Sequence, residues 1–254
     1  MAGQIERNVP LECDVLVAGG GVAGLMAAIA AADQGARVIV AEKANSKRSG
    51  CGATGNDHFL CYIPEVHGED PGEFIREMNE SQVGGNNDMN LVRRYVAECF
   101  ERVKDWDAWG VGMREHGDWE FNGHAKPGHL RIWLKYAGKD QKIIFTKQAA
   151  ARGITILNHH PFTEVITDGD GRAVGGICID LTQEYPRMQV IRAKSVILAT
   201  GNANRLFGSK TMGWMFNSAG CPSNVCTGRA AAYRAGARLV NLDLTGNGAG
   251  CKYF

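Results

Sequence analysis

The chain has 254 residues, 44% of them hydrophobic and 22% charged, which is enough apolar mass to bury a core and excludes a disordered tail. With 28 basic against 27 acidic residues the formal net charge is +1, so there is no electrostatic reason to expect a nucleic-acid partner. Met1 to Pro10 lacks the basic-then-apolar order of a secretory signal and no run of about 18 uninterrupted apolar residues occurs, so the sequence predicts a cytoplasmic chain without direct membrane insertion.

In chain order, Cys13 to Ala18 is a short β-branched run ending in glycines and reads as a buried strand. Val22 to Gln34 is Ala-rich and stops at Gly35, the pattern of a buried helix, and Arg37 to Ala41 is a second buried strand closing on Glu42. Such a strand–helix–strand unit is right-handed and parallel in nearly all proteins. Lys43 to Gly55 is a loop of Gly, Ser and Asn. Pro71 to Ser81 and Asn90 to Trp109 read as helices. The second carries Leu91, Val92, Tyr95, Val96, Phe100, Val103 and Trp106 near the 3.6 period. Val111 to Gly128 is irregular, and Lys139 to Arg152 is a helix ended by Gly153. Ile154–Asn158, Thr163–Thr167, Ala173–Leu181, Arg187–Ile191 and Ser195–Ala199 read as strands, the second and third joined by an Asp168-Gly169-Asp170-Gly171 turn. Thr227 to Ala235 is a last short helix. The chain contains no repeat and no interdomain linker, so residues 1–254 are read as one domain.

The eight cysteines are scattered and none forms a C-x-x-C. That predicts buried, reduced thiols, with no disulfide framework and no zinc or iron–sulfur site inside the chain. His159-His160 lacks further ligands for a metal.

The most informative stretch is Gly19-Gly20-Gly21-Val22-Ala23-Gly24, which satisfies G-x-G-x-x-G with Gly19, Gly21 and Gly24. The string alone is weak. Here it follows a strand, opens a helix, and is followed eighteen residues after Gly24 by Glu42 at the end of the second strand. That is the context a dinucleotide fold requires. Gly19 permits the tight turn, Gly21 lets backbone approach the pyrophosphate, and Gly24 lets helix and strand pack closely. The first-turn amides, Val22 and Ala23 included, face the anion. Glu42 is expected to accept hydrogen bonds from the ribose hydroxyls, which disfavours NADP. Lys43 and the small-residue loop Arg48 to Gly55 suit a longer cofactor, FAD, lying along the sheet edge. Ser195-Val196-Ile197-Leu198-Ala199-Thr200-Gly201 is a strand running into a Thr-Gly turn of the kind flavoproteins place over that cofactor.

On CDVLVAGGGVAG, AEKA, RSGCGATG, WGVGMR, SVILATGNAN and the Cys226-Thr227-Gly228 turn, the chain resembles the fumarate reductase and succinate dehydrogenase flavoprotein superfamily along nearly its whole length. Within it, the look is closest to the adenylylsulfate (APS) reductase alpha subunit. The resemblance implies an α/β, Rossmann-like FAD-binding fold: a parallel sheet with helices plus an antiparallel β-meander. It implies that Ser49, Gly50, Cys51, Ala53, Thr54 and Gly55 line the isoalloxazine and ribityl chain, and that Phe162 touches adenine. Thr200 and Gly201 would abut the pyrophosphate and ribityl region, with Thr227 and Gly228 near the flavin. Gly50 stands where membrane-bound members carry the histidine that bonds covalently to FAD, so FAD is expected to be non-covalent. The family's T-G-D-G turn reads Thr227-Gly228-Arg229-Ala230 here, and Leu60 stands where APS reductases have an asparagine.

The family's capping domain, catalytic arginine, substrate-binding histidine and closing strand would follow Phe254, so the domain is expected to be incomplete at its C-terminus. No catalytic residue is assigned. His116, His124, His129 and Trp214 could face the flavin, or serve as loop and packing residues. The expected function is a flavoprotein oxidoreductase subunit, with two-electron or hydride transfer at the flavin N5, a small-molecule substrate and an iron–sulfur electron-transfer partner. A fumarate-reductase-like or 3-ketosteroid-dehydrogenase-like enzyme, and an electron-relaying module without its own substrate site, are the alternatives.

Overall fold

The computed structural model describes residues 6–53, 55–80, 87–114, 116–121, 127–203, 223–240 and 242. They gather into two compact units, one built from the ends of the chain (1–53 and 145–254) and one from residues 54–144.

The first unit is a six-stranded sheet. Its strands are β1 (Leu11–Ala18), β2 (Val38–Ala41), β5 (Thr155–Leu157), β6 (Phe162–Thr167), β7 (Ala173–Asp180) and β8 (Arg187–Leu198), in the order β5-β2-β1-β8-β7-β6. β5, β2, β1 and β8 run parallel, while β8, β7 and β6 are antiparallel. This is the mixed α/β architecture expected from the sequence, parallel half and meander together. β1 ends in Leu16, Val17 and Ala18, all fully buried, as a central strand covered on both faces must be. Its Cys13, Leu16 and Ala18 share a core with Ile39, Phe162, Cys178, Ile191 and Ala231. Helix α1 (Val22–Asp33) packs back on the sheet through Gly24, Leu25, Ala28 and Ile29 and ends before Gly35, whose φ is +83°. Helix α5 (Gln141–Ala151) leads into β5, and helix α6 (Thr227–Arg234) lies against β6, where Arg234 forks onto the Glu164 carboxylate.

The two strands expected at Arg187–Ile191 and Ser195–Ala199 are a single strand. Its first half pairs antiparallel with β7, Arg187 opposite Asp180, and its second half pairs parallel with β1, Val196 opposite Leu16. Arg192 and Lys194 resemble a break in the sequence, but they are the solvent-facing positions of a period-2 pattern. Ile191 and Ala193 alternate with them and are buried, and the two cations reach Glu12 and Asp14. The Asp168 turn is where the sequence puts it, with Asp168 Oδ1 accepting from the amides of Asp170 and Arg172.

The second unit contains the hairpin of β3 (His58–Leu60) and β4 (Trp133–Lys135), with α2 (Pro64–His67), α3 (Gly72–Glu80) and α4 (Met89–Ala108). β3, β4 and α2 went unread in the sequence, being three or four residues each and too short for a period to show. α4 starts at Asp88, whose side chain caps the Asn90 amide. The apolar stripe of α4 divides. Val92, Val96, Cys99 and Val103 are buried, whereas Leu91 is 68% and Tyr95 38% exposed. At the hairpin's end His67 packs among Tyr62, Phe74 and Phe121. Its Nε2 bonds the Arg131 carbonyl and its Nδ1 receives the Ile63 amide. No helix among the described residues is long and apolar enough to cross a membrane.

Candidate functional site

The glycine loop sits where β1 ends. Gly19 turns the chain at φ +103° while its amide bonds the Ala41 carbonyl, and Ala199 bonds Ala18 from the other side. The turn is pinned between the ends of β2 and β8. A methyl group on Gly19 would lie 2.5 Å from the Ala199 carbonyl oxygen, and one on Gly24 would lie 1.8 Å from the Gly19 oxygen. Both glycines are therefore required by packing alone. Gly21 differs. It is the N-cap of α1 with φ −67°, and a methyl group there would meet no described protein atom within 4 Å. No side chain caps α1 and no acid stands in its first turn. The amides of Val22, Ala23 and Gly24 thus have no helical acceptor and present the positive end of the helix dipole.

Glu42 is the buried acid of this site, 5% exposed. Its Oε2 accepts the Gly20 amide at 2.6 Å and its Oε1 accepts the Ala44 amide at 2.7 Å. This role was not read from the sequence, because the partners are backbone groups whose positions only the sheet determines. The carboxylate fastens the glycine loop to the end of β2, and the oxygens' remaining lone pairs are still available to hydroxyl donors.

The loop from Lys43 to Ala53 returns to the same place. Ser46 is anchored by Asn158, and Gly50, at φ +77°, would carry a methyl group 3.4 Å from the Gly21 Cα. Ala53 bonds back to the Gly50 carbonyl, and Cys51 is exposed beside Asn224. Ser49 Oγ is buried without a hydrogen-bond partner among the described residues, an arrangement that native structures rarely leave unexplained. Lys43 extends its ammonium to the Ser223 carbonyl at 2.8 Å. Thr54 lies outside the described residues. Gly55 belongs to the second unit, where φ +83° and the close approach of Lys139 require a glycine.

The Thr-Gly turn after β8 completes the cluster. Gly201 has φ +78°, and α6 begins so close to Thr200 that a methyl on Gly228 would lie 2.1 Å from the Thr200 hydroxyl oxygen. Cys226, at φ +70°, makes the left-handed turn that aims Thr227 and Gly228 at this point. Gly19, Gly21, Gly24, Glu42, Gly50, Thr200 and Gly228 thus converge at the C-terminal ends of the parallel strands β1, β2 and β8. Phe162 does not present its ring there. It is 5% exposed and its ring packs over Gly176 in the core, which leaves only its backbone for a ligand.

The remaining candidates are engaged elsewhere. His129 pairs with Glu77 at 2.8 Å and the exposed His116 faces Glu120 at 3.8 Å. His124 and Trp214 lie outside the described residues. No group of three metal-ligating side chains occurs among the described residues. The six described cysteines are all free thiols, with Cys13, Cys61, Cys99 and Cys178 buried.

Residues 14–246 match the family model described as FAD binding domain. Among curated proteins, one subunit of the fumarate reductase (CoM/CoB) of Methanothermobacter marburgensis is 28% identical over 249 residues, covering 91% of this chain and 41% of the relative. The L-aspartate oxidase of Streptomyces coelicolor is 27% identical over 247 residues, covering 92% of this chain and 39% of the relative. The chain thus spans about two fifths of the length of these relatives. Among solved structures, adenylylsulfate reductase of Archaeoglobus fulgidus superposes with a TM-score of 0.73 at 23% identity, over 91% of this chain and 37% of that one, a likeness of fold.

Proposed function

The chain belongs to the FAD-binding domain family, and from that premise we propose that it holds FAD non-covalently at the cluster around Gly21, as the flavin-bearing part of an oxidoreductase. One observation carries the assignment. Gly19, Gly24 and Gly228 are each demanded by a neighbouring protein atom, whereas Gly21 has open space where a side chain would be. A glycine kept at a helix N-cap, with no described protein atom where its side chain would begin, fits a position where backbone meets a pyrophosphate. The unpartnered Ser49 hydroxyl, one turn of loop away, supports the same reading.

In this reading the first-turn amides of α1 neutralise the pyrophosphate, and Glu42 holds the glycine loop in register while its free lone pairs take the ribose hydroxyls. Lys43 stays near the adenosine end, with the Phe162 backbone beside the adenine. Ser49, Gly50, Cys51 and Ala53 attend the flavin side, with Thr200, Gly201 and Thr227 closing over it. Gly50 offers no nucleophile for a covalent link. Bound FAD supplies two-electron chemistry at N5, and the protein supplies position and electrostatics.

The whole protein would act on a small-molecule substrate and exchange electrons with a separate iron–sulfur partner. The Methanothermobacter relative, itself named as one subunit, supports a multi-subunit setting. Acid precipitation of the purified protein should release a yellow supernatant. Anaerobic dithionite should bleach the bound flavin and an artificial dye should restore it. Flavin left in the pellet would refute non-covalent binding, and a bound flavin unable to cycle would refute the redox role.

A further inference from the structure

The second unit holds a pair of thiols that the cofactor site does not use. Cys61, just after β3, is fully buried, and Cys99, on α4, is 6% exposed. Both sulfurs lie 3.8 Å from one oxygen, the Tyr62 carbonyl. The Tyr62 amide donates to the Cys99 sulfur at 3.3 Å, and Cys61 donates to Cys99 as well. Two donors on one sulfur favour its thiolate. They hold the Cys99 thiol down to about 7, while the same bond and burial push the Cys61 thiol up. Free thiols otherwise ionise near 8.5.

Cys99 also has a way out. It lies on the wall of an open groove of about 440 Å³ along α4, shared with Phe59, Leu91, Tyr95 and Trp106 and rimmed by Arg94, Glu98 and Arg102. Cys61 is not on that wall and is fully buried behind it. A cysteine on a groove wall that favours its thiolate, with a buried protonated thiol beside it, is the arrangement of an attacking and a resolving cysteine.

We infer that Cys99 and Cys61 form a thiol–disulfide exchange site that takes small disulfides from the groove. The Cys99 thiolate attacks one sulfur of the disulfide, whose S–S bond breaks and releases a first thiolate, which takes up the proton Cys99 has lost. Cys61, giving its proton to the departing group, then attacks the Cys99 sulfur. The mixed disulfide breaks, a second small thiol leaves, and a Cys61–Cys99 bond closes. Two electrons pass from the protein dithiol to the small disulfide. The apolar walls accommodate its carbon skeleton, while Arg94 and Arg102 at the rim are paired with Glu98 and Asp105. The inference rests on the second unit alone and is independent of FAD.

The test is to incubate the purified protein with glutathione disulfide, quench with acid and map the peptides by mass spectrometry. Wild type should yield a Cys61–Cys99 cross-link and no lasting adduct on either residue, at a rate that rises through a midpoint below that of an ordinary thiol. Cys61→Ser should trap glutathione on Cys99, and Cys99→Ser should leave Cys61 unmodified. Leu91→Trp, at an exposed position, should slow cross-linking by filling the groove without disturbing the pair. Folding of each variant is checked by circular dichroism, and the wild-type map decides if a cysteine variant fails to fold. Wild-type protein that carries glutathione on the exposed Cys51 but shows neither cross-link nor adduct at Cys99 would overturn the inference. So would a rate midpoint near that of an ordinary thiol.

Discussion

A valine at position 21 would put its Cβ where no described protein atom lies within 4 Å. The backbone there, at φ −67° and ψ −175°, is extended and open to any residue. The only folding penalty is the poorer N-cap, about 1 kcal/mol or less, which in a chain of this size lowers Tm by about 2–4 °C. Gly24→Ala is the control. Its methyl would lie 1.8 Å from the Gly19 carbonyl oxygen, so α1 must move off the sheet, an overpacking that costs about 1–3 kcal/mol or more. The two substitutions should therefore separate. Gly21→Val should melt close to wild type yet purify without flavin, and Gly24→Ala should lose stability first and flavin as a result. Thermal unfolding followed by circular dichroism, beside the flavin absorbance per mole of protein, reads both quantities. Retention of FAD by Gly21→Val would refute the phosphate-loop assignment. A melting loss as large as that of Gly24→Ala would show that position 21 is packed after all.

Three further outcomes are expected. Glu42→Ala should destabilise the apo-protein as well as weaken FAD binding, because two backbone amides lose a charged acceptor worth about 1.5–3 kcal/mol each. Glu42→Gln should be milder, and equal stability of Glu42→Ala and wild type in urea would refute the fastening role. Leu16→Ala, in the fully buried centre of β1, should cost about 2–5 kcal/mol, read as a fall in the urea midpoint, and an unchanged midpoint would contradict the assigned core. Burial lowers the His67 pKa below the ordinary 6.5. Below that pH the unfolded chain takes up a proton that the folded imidazole refuses, so this contribution to stability is intact above pH 6.5 and falls as the pH drops beneath it. His67→Phe should flatten that part of the pH–stability curve, and a slope unaltered by the substitution would place the sensitivity elsewhere.

The parallel half of the fold was legible because its signals are local. An apolar run, three glycines, an Ala-rich helix and a second apolar run report β1, α1 and β2 without help from distant residues. The β8 strand was read as two because Arg192 and Lys194 are chemically turn-like. Only the partners β1 and β7, brought from far along the chain, make them exposed strand positions. The glycine cluster was legible as a motif, yet the reasons differ residue by residue. Gly19 and Gly24 answer to carbonyl oxygens, and Gly21 to none. Glu42 was found for its type and position, but its bonds to Gly20 and Ala44 follow from the register of β1 and β2 and leave no mark in composition or period. Phe162 was expected at adenine through the backbone of its strand, and the packing of its ring over Gly176 depends on the pairing of β6 with β7.

The seam between β1 and β8 also bears on how the chain must fold. β1 finds β2 within a few tens of residues, but its other edge waits for a strand some 180 residues further on. At translation rates of about 5–20 residues per second, that edge stays unpaired for roughly 10–40 s after β1 is made. Leu16 and Val17, the most deeply buried part of the finished sheet, are meanwhile the most exposed to wrong pairing. Folding of the first unit is thus governed by one late, long-range closure, and slow refolding with loss to aggregates at high concentration is its expected kinetic signature.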